Sequence, residues 1–225
     1  MAPREEEGVG IYYTALTMAF FEDLGYYKAN WGMEEPMSWG HKKGCSFINE
    51  ACIKNGISRY PETFCNTSTT RCTSNRYALG ECESLEDLDA DNEIDFCPII
   101  VGSTVIQEGG DSQPTSFCTF GDESLLTGSL IGPDSWCLDG EGLQVQNTRK
   151  SVESLSGVCA QVSCDEGRRT VEVQYKGSNT FKECPEGTSI DVESSAFQSG
   201  GKIKCPKYDE VCTITPDGRS RLSMN

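Results

Sequence analysis

The sequence predicts an α+β fold, with one buried N-terminal helix followed by a disulfide-rich, loop-rich, mainly β domain. Three observations predict it. Thirteen cysteines occur in 225 residues, all of them from Cys45 onward. A short, almost uniformly apolar stretch, Thr14 to Leu24, precedes the first cysteine. Beyond it come short alternating segments divided by Gly, Pro, Asn and Ser, the pattern of strands and turns.

That cysteine density belongs to an oxidising compartment, because thiols kept reduced at this frequency are normally metal ligands with paired spacing. The gaps here are irregular and contain no Cys-x-x-Cys, so disulfides are the expected use. An odd count leaves one thiol without a partner in the chain. Hydrophobic residues make up 36 % of the chain, which gives a lean core. Six bridges at roughly 2–4 kcal/mol each rival the roughly 5–15 kcal/mol net stability of an ordinary domain, so folding is expected to require oxidation.

In chain order, Thr14 to Leu24 is expected to be helical, with Leu16, Phe20 and Leu24 on one face and Met18 and Phe21 widening it. Thr14 suits the N-cap and Gly25 the left-handed position past the end. A helix this apolar must pack on a larger body. Tyr26 to Gly44 is irregular, and a boundary is placed before Cys45, dividing the chain into 1–44 and 45–225. Strands are expected at Pro98 to Val101 and at Thr170 to Lys176, where Val171, Val173 and Tyr175 alternate with Glu172 and Gln174. Gly177-Ser178-Asn179 reads as a turn into Phe181 to Cys184. Further strands are expected at Ser189 to Val192, Lys202 to Cys205 and Val211 to Ile214.

A net charge of −16 repels phosphate backbones and anionic headgroups, which excludes nucleic acid as a partner. The basic residues are scattered, and Arg168-Arg169 reads as a hairpin flank. No stretch reaches the roughly 18–20 apolar residues of a membrane helix, so no transmembrane segment is expected. Gly8 to Phe21 has the length of a signal-peptide core, but Glu5-Glu6-Glu7 stand where positive charge belongs. An upstream segment absent from this sequence would supply both an export signal and a partner for the odd cysteine. Asn66-Thr67-Ser68 is an N-glycosylation acceptor, in keeping with the secretory pathway and a cell-surface or extracellular location.

No catalytic constellation is present. A zinc hydrolase needs three protein ligands and usually a Glu to activate water, whereas His41 is the only histidine and sits beside Lys42 and Lys43 in a polar loop. There is no Gly-x-Ser-x-Gly elbow, Walker loop or dinucleotide fingerprint. The acidic run Glu81 to Asp95 resembles a calcium loop at Asp87, Asp89 and Asp91, but Asn92 replaces the turn glycine and Pro98 the closing glutamate. It reads as a solvated loop.

Met1-Ala2-Pro3, Tyr12-Tyr13-Thr14-Ala15-Leu16-Thr17-Met18-Ala19 and Glu22-Asp23-Leu24-Gly25-Tyr26-Tyr27 closely resemble the leishmanolysin family of surface zinc metalloproteases, of the metzincin type. Trp39-Gly40 before Gly44-Cys45, Phe64-Cys65-Asn66, Leu79-Gly80-Glu81-Cys82, Gly177-Ser178-Asn179 and Gly200-Gly201 through Cys205-Pro206 continue the likeness over nearly the whole chain.

The resemblance implies the C-terminal portion of such an enzyme, starting at the methionine of the Met-turn, matched by Met1, below the zinc. The His-Glu-x-x-His helix and third histidine would lie upstream, so no catalytic or metal residue is expected here and zinc is the cofactor of the complete parent alone. Pro3 and Arg4 would stand at the wall of the substrate pocket, where the charges of Arg4 to Glu7 depart from the small residues usual in the family. Residues 1–44 would be the end of the catalytic region and 45–225 the C-terminal domain. The family pairing implies Cys52–Cys97, Cys65–Cys82, Cys72–Cys137, Cys118–Cys159, Cys164–Cys212 and Cys184–Cys205, with Cys45 bridged to an upstream cysteine. The expected function is part of a zinc endopeptidase, inactive alone, whose partners are the missing catalytic region and protein substrates. The alternative is an adhesion or interaction module that binds host or matrix proteins. The polar end from Thr215 lacks the apolar tail of a lipid-anchor signal.

Overall fold

The computed structural model describes residues 12–55, 57–65, 70–82, 97–106, 112–146, 152–198 and 201–222. Met1, Pro3, Arg4, Asn66 and most of the acidic run lie outside these residues. Helix α1 (Ala15–Asp23) starts at Thr14, whose carbonyl accepts from Met18 N at 3.0 Å but whose hydroxyl makes no cap. Gly25 ends it at φ +76°, where a Cβ would be strained. Helix α2 (Ser46–Asn49) follows, and the small pair β1 (Ile53–Lys54) and β2 (Ile57–Ser58) comes next.

Strands β3 (Arg71–Cys72), β4 (Leu79–Cys82) and β5 (Ile100–Gly102) form a three-stranded antiparallel sheet. The pair β6 (Thr104–Ile106) and β7 (Ser112–Pro114) lies beyond. The main sheet is built from β8 (Ser135–Gln146), β9 (Val152–Asp165), β10 (Thr170–Gln174), β11 (Lys182–Glu183), β12 (Ser189–Asp191) and β13 (Lys202–Lys204). Its order is β11-β10-β9-β8-β13-β12, with every pairing antiparallel. Helix α3 (Tyr208–Cys212) closes the set.

Alternation explains β10: Val171 and Val173 are buried and Thr170, Glu172 and Gln174 are not, so one face meets the core. The core joins Trp136, Leu138, Leu143 and Val145 of β8 to Val158 and Val162 of β9 and Ile203 of β13. The β8–β9 register slips between Asp139 and Leu143, where Gly140 and Gly142 form a bulge. The bulge lets β13 pair with Gly140 and Glu141, and Gly201 must be side-chain-free because a Cβ there would stand 2.7 Å from Leu143 N. The sheet curls until its edges approach: Lys182 Nζ of β11 donates to Asp191 O of β12 at 3.4 Å and to Tyr175 Oη at 3.0 Å. A nearly closed, barrel-like sheet results, and it protects the edges that an open sheet would expose.

One expectation needs correction. Val211 to Ile214 is not a strand: Tyr208, Val211 and Cys212 follow helical spacing and face the core as α3, while Asp209 and Glu210 occupy the favourable first turn. The apolar face of α1, expected to need a larger body to pack on, is not covered by the described residues. Met18 is buried, but Leu16 is 64 % and Phe20 59 % exposed, with Leu24 exposed beside them.

Candidate functional site

The turn between β3 and β4 positions the most constrained charged side chain. Thr73 Oγ1 donates to Asn75 Oδ1 at 2.7 Å, Tyr77 N donates to the same oxygen at 3.2 Å, and Arg76 N closes on Thr73 O at 2.9 Å. This local wiring forces Arg76 to φ +63°, a left-handed conformation that a non-glycine residue rarely adopts. Its guanidinium thereby reaches across the fold, with Nε donating to Glu210 Oε2 of α3 at 2.8 Å and an Nη donating to Asp139 Oδ2 of β8 at 3.2 Å. Burial alone would push its pKa down, but the two facing carboxylates more than offset that and raise it, so the charge is permanent.

Above this node lies a cleft of about 520 Å³ between the turn, the outer face of the main sheet and the segment 36–43. Tyr12, Trp39, Arg71, Lys204 and Lys207 are among the residues that line it. Lys43 pairs with Glu62, and the hydrogen bond it donates holds that carboxyl below the ordinary carboxylate range. His41 sits exposed among the lining residues.

The cysteines form six bridges: Cys52–Cys97, Cys65–Cys82, Cys72–Cys137, Cys118–Cys159, Cys164–Cys212 and Cys184–Cys205. These are the pairs that the family resemblance implies. Cys45 is free and exposed at the start of α2. Among the described residues no group of three or more His, Cys, Asp or Glu side chains is placed to hold a metal ion. With twelve thiols bridged and one exposed histidine, the described residues do not fit a zinc centre. No helix among the described residues is long and apolar enough to cross a membrane.

The family model described as leishmanolysin, a peptidase family, matches residues 1–218. The chain belongs to the leishmanolysin family. It is 35 % identical to a leishmanolysin of Leishmania major over 94 % of its own length and 37 % of that protein's. The leishmanolysin homolog of Crithidia fasciculata is 33 % identical, over 92 % of this chain and 34 % of its own. A leishmanolysin-like peptidase of Drosophila pseudoobscura pseudoobscura is 26 % identical over 89 % of the chain. The chain thus spans little more than a third of the length of the relatives it matches. Leishmanolysin-family membership makes it a member of a metallopeptidase family, with no metal-binding group of its own among the described residues.

Sequence reasoning missed the cleft. Its cations come from positions 43, 71, 76, 204 and 207, and residues scattered along a chain give no local signal of a patch gathered in space. The turn composition Thr73-Ser74-Asn75 was the one available hint of an unusual backbone at Arg76.

Proposed function

We propose that this chain forms the disulfide-braced C-terminal part of a secreted or surface zinc endopeptidase of the leishmanolysin family, supplying a scaffold and not the metal centre. The observation that carries the reading is the donor inventory: twelve cysteines are bridged, the chain has one histidine, and among the described residues no three His, Cys, Asp or Glu side chains are grouped to hold a metal ion. The uncovered face of α1 supports it, since an apolar surface of Leu16, Phe20 and Leu24 beside exposed Tyr26 and Trp31 is the sort that a further body covers. On this reading residues 1–44 belong to the catalytic region, Met1 is the Met-turn methionine, and Pro3 and Arg4 stand near the substrate pocket. Cys45 bridges to an upstream cysteine, Asn66 is glycosylated, and protein substrates are the partners.

The test uses the oxidised 225-residue chain, dialysed against zinc. Its zinc content is measured by mass spectrometry, and its hydrolysis of fluorogenic peptides is compared with and without a chelator. The expected result is no stoichiometric zinc and no chelator-sensitive turnover. Tightly bound zinc with metal-dependent cleavage would sink the reading.

A further inference from the structure

We infer that the cleft above Arg76 binds a short acidic peptide segment, with carboxylates held by Arg71 and Lys204 and an apolar side chain resting on Trp39. The first support is an inversion of charge. The chain carries 35 acidic and 19 basic residues, yet the cleft is lined by five Lys and Arg (positions 43, 71, 76, 204 and 207) against three carboxylates (Glu62, Asp139 and Glu210). The second is that those carboxylates are already engaged. Glu62 is held by Lys43, and Asp139 and Glu210 by Arg76, with Lys207 at 3.6 Å from Glu210 as well. Two cations remain without a hydrogen-bonded carboxylate. Lys204 is exposed and has no ion pair among the described residues, and Arg71 donates to the carbonyl of Pro61 at 3.0 Å and shares the charge of Glu62 with Lys43 at longer range. Positive groups left unneutralised in a concave site attract anionic partners, and a guanidinium with free donors suits a carboxylate geometrically.

The cleft selects the class of anion. Its volume of about 520 Å³ is that of a small-ligand or short-peptide site, too small to engage more than a few residues. A wall of Pro36, Met37 and Trp39 gives apolar contact that a bare inorganic anion would not use. A net charge of −16 repels a long polyanion over the whole surface, while a segment with two or three carboxylates meets mainly the local field. The inference concerns binding and stands whether or not the parent cleaves peptide bonds.

The probe is a short fluorescein-labelled peptide of alternating Glu and Leu, titrated with the oxidised 225-residue chain and followed by anisotropy. Saturable binding is expected, weakening as salt rises. Lys204→Glu should weaken it by about tenfold or more, as loss of a charge-assisted pair requires, and Lys204→Met should weaken it in the same direction. Lys54→Glu, an exposed reversal outside the cleft, should leave it within about twofold. A disulfide map identical to that of the unaltered chain establishes that each variant is folded. Equal weakening by Lys54→Glu, equal binding of the Gln and Leu version of the peptide, or Lys204-dependent binding of a sulfated polysaccharide with none of the peptide would each overturn the inference.

Discussion

At the scale of single residues, Arg76 is where local chemistry and long-range structure meet. Its backbone strain is tolerated because the side chain links the β3–β4 turn to β8 and α3, elements 63 and 134 residues away in sequence. Removing it leaves part-buried Asp139 without its ion pair and Glu210 with only Lys207 at 3.6 Å. Arg76→Ala is therefore expected to cost about 1–2 kcal/mol, between the surface and the buried range because both carboxylates are partly solvated, and a lowered urea midpoint with an unchanged slope checks it. Its neighbour Tyr77 gives a pH test. Burial against Trp136, whose ring centroid is 5.3 Å away, pushes the Tyr77 phenol from 10.0 up to about 12. A phenol whose folded pKa is raised keeps its proton longer in the native state. Stability is therefore complete below pH 10 and falls as pH rises toward 12, by on the order of 2–3 kcal/mol. Denaturant melts across that range should show the loss, and Tyr77→Phe should abolish it. Neither residue was legible from sequence, since nothing in Asn75-Arg76-Tyr77 tells which distant carboxylates or rings will face them. The cysteine pairs were legible only through family likeness, because spacing alone permits too many connectivities.

At the scale of elements, legibility tracked periodicity. The strand Thr170–Gln174 was plain because Val171 and Val173 alternate with polar residues, and the turn at Gly177 was plain because it needs φ +79°. The two longest strands were not legible. β8 carries Gly140 and Gly142 in its middle, and β9 runs through Ser154, Ser156 and Gly157, so bulge and close-packing glycines break the alternation that would reveal them. Gly157 is required there, as a Cβ would come 2.8 Å from Cys72 Sγ. Val211 to Ile214 was ambiguous in period: the Cys164–Cys212 bridge to β9 together with the acidic first turn places Val211 and Cys212 at the end of α3, while Ile214 makes an isolated bridge to Ser220. Helix α1 is the opposite case, correctly located but with its face open. That makes a sharp contrast testable. Leu16→Glu and Phe20→Glu together should shift stability of the isolated chain by no more than about 0.5 kcal/mol, while Met18→Ala, which empties a 3 % exposed site, should cost about 2 kcal/mol. Thermal melts of the two variants decide it, and comparable losses would mean that the face is covered after all.

At the scale of the whole molecule, stability depends on how the bridges are distributed and not merely on their number. Four of them clamp the main sheet. Cys72–Cys137 holds β3 on β8, Cys118–Cys159 and Cys164–Cys212 hold a loop and α3 on β9, and Cys184–Cys205 joins the chain after β11 to the chain after β13. The other two, Cys52–Cys97 and Cys65–Cys82, serve the part of the chain before β5. Chain-entropy reasoning gives about 4 kcal/mol for the 48-residue separation of Cys164 and Cys212 and about 3 kcal/mol for the 17-residue separation of Cys65 and Cys82. The magnitudes are close, but the consequences are not. Opening Cys164–Cys212 frees α3, and with it Glu210 from Arg76 and Val211 from the core, so bridge entropy and packing are lost together. Opening Cys65–Cys82 leaves every strand of the main sheet still tied. The double variant Cys164→Ser/Cys212→Ser is therefore expected to unfold as one unit at much lower urea. Cys65→Ser/Cys82→Ser should retain the near-ultraviolet signal of buried Trp136 while the region around β3 to β5 becomes protease-sensitive. Equal loss of the Trp136 signal in both variants would show instead that the sheet and the preceding region stand or fall together.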